Sequence, residues 1–101
     1  MNEEFLYEDR ARTAWRLQEV CVLLAAPREL VLELVEYRAG PVAPEEFDRQ
    51  WLNWLGRSLR LQRDLGVDAL AAAFISDLLE QNAQLERRIR LLERLAGTAL
   101  R

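Results

Sequence analysis

Glu29, Glu33 and Glu36 are spaced by four and then three residues, so on a helix their carboxylates line one face. Such a row can draw in a basic partner, or it can be the solvated side of a surface helix, where glutamates ordinarily sit. Arg57, Arg60 and Arg63 form the opposite kind of stripe, one that could meet phosphates but reads first as a solvated helix face. The rest of the reactive inventory is thin. All fourteen basic residues are Arg, and the chain has neither Lys nor His. A Schiff base, a phosphate-loop lysine, an imidazole base and a histidine metal ligand are thereby ruled out. Ser58 and Ser76 have no base to activate them, and the carboxylates do not pair outside surface faces, so an enzyme is the poorest reading and no cofactor or metal is expected. Cys21 lies among Val20, Val22 and Leu23, the setting of a buried structural thiol rather than a nucleophile.

The elements that must position these residues are helices. Half of the 101 residues are hydrophobic, and four Gly with three Pro are too few turn formers for a strand-rich fold. The net charge of −3 is uneven: residues 1–50 carry 11 acidic and 6 basic side chains, residues 51–101 carry 6 and 8. An acidic front half suits a basic partner better than nucleic acid. The acidic start Met1-Asn2-Glu3-Glu4 and the short apolar runs Val20 to Ala26 and Ala69 to Ile75 predict neither a signal peptide nor a membrane span. With a single cysteine giving no evidence of a disulfide, the expected location is the cytoplasm.

The dominant element is one long helix from Asp68 to about Leu95. Counting in sevens places Ile75, Asn82, Ile89 and Ala96 at position a, and Ala71, Leu78, Leu85, Leu92 and Ala99 at position d. A heptad sustained over roughly four repeats is the signature of a coiled coil, and β-branched residues at a with Leu at d favour two strands. The expected dimerisation residues are therefore Ile75, Leu78, Asn82, Leu85, Ile89 and Leu92. Asn82 would fix register at some cost in stability. Arg88 and Glu93 fall at g and e, where they could pair between parallel strands, and Glu86 with Arg90 forms an (i, i+4) pair on the outer surface. Orientation is open, and the competing reading is that the stripe packs on the chain's own helices.

Ahead of it, residues 17–24 read as a helix, whereas 1–16 fit either a helix or a short strand in which Thr13, Trp15 and Leu17 alternate with Ala14 and Arg16. Pro27 opens a second helix to about Tyr37, with Leu30, Val31, Leu34 and Val35 inward. The turn Ala39 to Pro44 ends it. A third helix is expected from Pro44 to about Leu65, with Glu45 and Glu46 complementing its dipole and Phe47, Trp51, Trp54, Leu55 and Leu59 buried. The two indoles read as core or dimer packing rather than a binding hot spot. Gly56, costly in mid-helix, is read as a close helix crossing or, second, a kink. Gly66 closes the third helix, Asp68 caps the fourth, and Gly97 to Arg101 is expected to fray.

This order of helices resembles the MerR-type helix-turn-helix proteins, and within them the CbpM family of chaperone modulators. The resembling stretches are Leu17 to Cys21, Leu34-Val35-Glu36, Phe47-Asp48, Arg57-Ser58-Leu59-Arg60-Leu61, Asp64-Leu65, and the segment from Leu78 through Asn82 to Leu95, within about four-fifths of the chain. The resemblance implies an all-α fold: a helix-turn-helix domain over 1–66 and a long C-terminal dimerisation helix over 67–101. It also implies a non-enzymatic function. CbpM-like proteins bind the J domain of the DnaJ-like co-chaperone CbpA and inhibit its work with DnaK, some of them as homodimers. J domains carry a basic helix, so Glu29, Glu33 and Glu36 become the expected partner-binding residues. The alternative is a DNA-binding regulator of the MerR type. One departure is plain: between Val42 and Phe47 there is no room for the usual wing hairpin, which puts in doubt both the wing and any strand at 11–17 that would pair with it.

Overall fold

The computed structural model describes residues 12–100, with side chains as far as residue 97. Among them lie four helices: α1 (Leu17–Leu24), α2 (Arg28–Ala39), α3 (Arg49–Leu65) and α4 (Ala69–Leu100). The architecture is all-α. The reading of residues 1–11 as helix or strand lies outside the described residues.

α1 covers the span that its apolar spacing predicts. Its entry is fixed by Glu19, whose carboxylate accepts the Arg16 backbone N–H at 2.9 Å and pairs with the Arg12 guanidinium. The Arg12 bond, with the Arg16 N–H second, holds the Glu19 carboxyl below the usual carboxylate range. This contribution is present above the ordinary carboxylate pKa and is lost as pH falls through the lowered value. α1 ends on Ala25, which sits in the left-handed region at φ 51° while the Ala25 and Ala26 N–H groups reach back to the Val22 and Cys21 carbonyls. A side chain there is strained, so Ala25→Gly is expected to stabilise the fold by about 1 kcal/mol, raising Tm by roughly 4–8 °C in thermal unfolding.

Pro27 stands just before α2 in an extended conformation, and Ala25-Ala26-Pro27 connects the two helices. Val20 from α1, Val31, Leu34 and Val35 from α2, and Trp54 and Leu55 from α3 form the centre of the core. Trp54 is thus core, and Trp51 packs half-buried beside it. Cys21 is half-buried against the same cluster rather than fully enclosed.

The third helix begins at Arg49, not Pro44, for a non-local reason. Trp15 and Phe47 form an antiparallel bridge, with N–H···O bonds of 2.9 and 2.8 Å in the two directions. Both backbone groups of Phe47 are committed to that bridge, so residue 47 is held extended and the helix starts after it. Asp48 becomes the N-cap, its Oδ1 accepting the Trp51 N–H at 2.9 Å, and Glu45 and Glu46 lie exposed in the loop. This single bridge is what remains of strand pairing among the described residues, and Trp15, with Arg12 and Arg49 over its ring, is buried by it. Gly56 does not mark an obligatory close approach: a Cβ there would lie 3.7 Å from Leu24 Cδ2, an ordinary contact.

α3 closes on Gly66 at φ 66°, whose N–H bonds the Gln62 carbonyl, and Asp68 caps α4 by accepting the Ala71 N–H at 2.8 Å. α4 runs on to Leu100, past the expected end near Leu95 and through Gly97. At a rise of about 1.5 Å per residue it is roughly 48 Å long, which sets the long dimension of a molecule of 54 × 33 × 28 Å. Its first half packs on α2 and α3 through Ala69, Ala72, Ala73 and Ser76, whereas residues 84–97 are all exposed and project beyond the core.

Candidate functional site

Two surfaces hold the residues singled out by the sequence. The first is the outer face of α2. Its inward stripe is Val31, Leu34 and Val35, all buried, which turns Glu29, Glu33 and Glu36 outward, and all three are exposed. One residue of this surface lies outside the acidic pattern. Tyr37 is four residues beyond Glu33, is 40 % exposed, and donates its hydroxyl to Glu33 Oε2 at 2.9 Å. That bond, with desolvation and the nearby carboxylate charge, raises the Tyr37 pKa above 10.0. This contribution is complete below the unfolded tyrosine pKa and is lost as pH climbs through the raised one. In Glu33→Gln the Tyr37 titration should move back toward the ordinary value. A difference titration of phenolate absorbance between variant and parent checks this, since the signal of Tyr7 cancels.

Behind this face is a charge on the wrong side of the helix. Extending the buried row from Val31, Leu34 and Val35 by the next helical step reaches Arg38, where an apolar residue would be ordinary. Its guanidinium carbon lies 4.6 and 5.1 Å from the ring centroids of Trp51 and Trp54, and its Nη2 meets Glu80 at 3.3 Å. The Trp54 indole N–H donates to Asp77 at 2.7 Å. One guanidinium therefore joins the end of α2 to α3 and α4. The sequence signal that marks Arg38 is its register with the inward stripe.

The basic stripe expected on α3 is not presented as such. Arg57 is half-buried and donates Nε–H to Ser76 Oγ at 2.9 Å, between α3 and α4. Arg63 pairs with its neighbour Asp64. The two serines are fully buried and both donate to the Trp54 carbonyl, Ser58 at 2.9 Å and Ser76 at 3.4 Å. They serve packing, out of reach of any substrate.

The second surface is on α4. Leu78, Leu85, Ile89 and Leu92 are 51, 54, 53 and 64 % exposed, so the heptad stripe is not used against the chain's own helices. Ile75, nearest the core, is half-buried, while Asn82 is exposed and bonds Glu86 one turn on at 3.4 Å. The helix has turned its small residues to its own core and its large ones outward. The outward face is also wider than the a and d positions. Leu70, Phe74, Leu91 and Leu95, at c and g, are roughly half exposed or more, a breadth that counting only a and d leaves out.

Compared with known families, residues 15–94 match the family model described as MerR HTH family regulatory protein. No curated protein matches the chain significantly. No helix among the described residues is long and apolar enough to cross a membrane.

Proposed function

The chain belongs to the family of MerR helix-turn-helix regulatory proteins, and from that premise we propose that it is a non-enzymatic regulator which binds the J domain of a DnaJ/CbpA-like co-chaperone and inhibits its work with DnaK. One observation carries this reading. The second helix of the helix-turn-helix, the one that would enter a DNA groove, presents Glu29, Glu33 and Glu36 together to solvent. Phosphates would meet repulsion there, whereas the basic helix of a J domain meets complementary charge. The resemblance to CbpM-like modulators points to the same partner.

A second copy of the chain completes the picture. An apolar helix face of this length, projecting from its own core, is the kind of surface that proteins keep covered. We assign it to a homodimer seam of Ile75, Leu78, Asn82, Leu85, Ile89 and Leu92, in a cytoplasmic protein. The direct test is calorimetric titration of the intact chain with a purified J domain at low salt, where charge attraction is least screened. A complex that weakens as salt is raised is the expected result, and no heat of binding at low salt overturns the proposal. The alternative, a DNA-binding regulator, has lost Arg57 from its basic stripe to Ser76. Sequence-selective, salt-sensitive mobility shifts would favour it instead.

A further inference from the structure

We infer that Arg38 is a positioning residue for the acidic face: it locks the last turn of α2 onto α3 and α4 and so sets the pose in which Glu33 and Glu36 meet a basic partner. The inference rests on the partner-binding reading of that face.

The first support is register. Arg38 lies two residues after Glu36, about 200° around the helix, so it points inward where Glu33 and Glu36 point out. It is the inner anchor of the turn whose outer side carries the carboxylates. The second is energetic. A half-buried guanidinium is a poor choice for stability alone, because an apolar side chain on the same stripe would avoid its desolvation. Here Nη1 is buried without a hydrogen-bond partner, so that desolvation is not fully offset. The third is direction. Pairing with Glu80 and stacking on Trp51 and Trp54 constrain rotation and slide of α2, which apolar contact alone constrains weakly. A charge retained at a stability cost, with directional partners on two other helices, fits a role in specifying geometry.

Electrostatics and positioning make opposite predictions, which makes the idea testable. If Arg38 were only a cation behind an acidic face, removing it would strengthen attraction for a basic J domain. If it positions the face, removing it weakens binding even though the net charge becomes more favourable. Arg38→Met keeps an unbranched chain that can lie on the indoles but leaves the partly exposed Glu80 without its counter-ion, so its Tm should hold or fall by only a few degrees, with the protein still fully folded at the temperature of the binding measurement. Its affinity for the J domain should fall about tenfold, the scale of one charge-assisted hydrogen bond. Amide hydrogen exchange over residues 35–40 should accelerate. The double exchange Arg38→Glu with Glu80→Arg restores the ion pair but not the stacking on the indoles, so it should recover part of the affinity lost by Arg38→Glu alone. Unchanged or tighter binding by Arg38→Met overturns the inference, as does a charge exchange no better than the single variant. If the parent chain binds no J domain, the proposed function fails by itself, and unaltered exchange at residues 35–40 in Arg38→Met then overturns the positioning role separately.

Discussion

Reversing Glu33 to Arg is expected to weaken J-domain binding on the order of 100-fold at low salt, the range seen when a close interfacial charge pair is broken and replaced by repulsion. Glu33 is the middle carboxylate of the row, so any basic helix laid along α2 crosses it. Its reversal also removes the acceptor that orients Tyr37. The side chain is exposed, so the helical circular dichroism and Tm should hardly change, which separates a binding defect from unfolding. Glu33→Gln should fall between parent and reversal, because it removes charge without adding the opposite one. The salt dependence should flatten in the same order, since fewer attractive pairs remain to be screened. An affinity unaffected by Glu33→Arg would remove α2 from the interface.

The same residues show where the fold could be read from the chain and where it could not. Local signals held: α1 begins and ends where its apolar spacing places it, Gly66 takes the left-handed cap, and Asp68 caps α4. The start of α3 was instead set by a distant partner. Pro44-Glu45-Glu46 has the chemistry of a helix start, but the bond pair between Phe47 and Trp15, 32 positions apart in sequence, overrides it. The end of α4 lies beyond the expected one, since a single Gly97 costs only about 1 kcal/mol and does not stop the helix. The orientation of the acidic face was legible because the inward stripe of α2 is unambiguous. Arg38 was not, because a charged residue on a core-facing stripe makes sense only once Trp51, Trp54 and Glu80 are seen around it. Arg57, Arg60 and Arg63 looked equivalent in sequence for the same reason, yet only Arg57 faces α4 and finds Ser76.

The paired substitution Leu85→Asp with Ile89→Asp is expected to convert a dimer to a monomer, with the mass in sedimentation equilibrium falling from twice the chain mass to 11.8 kDa. In the proposed dimer each change would place a carboxylate in an apolar seam without a counter-ion, and two together should cost more than 100-fold in association. The effect should stay confined to association. Both positions are on the part of α4 that projects past the core and are more than half exposed in the single chain, so nothing in the body of the protein is cut away. The buried pair Trp54 and Leu55 should keep its environment, and the indole fluorescence of the folded body should match the parent. Leu79→Asp, outside the a and d positions and 44 % exposed, is the matched control and should disturb the mass far less. A parent chain that sediments as a monomer at high concentration would leave the exposed row without a second copy to cover it. A paired variant that remained dimeric would move the contact to the other edge of the same face, where Leu70, Phe74 and Leu95 stand equally uncovered.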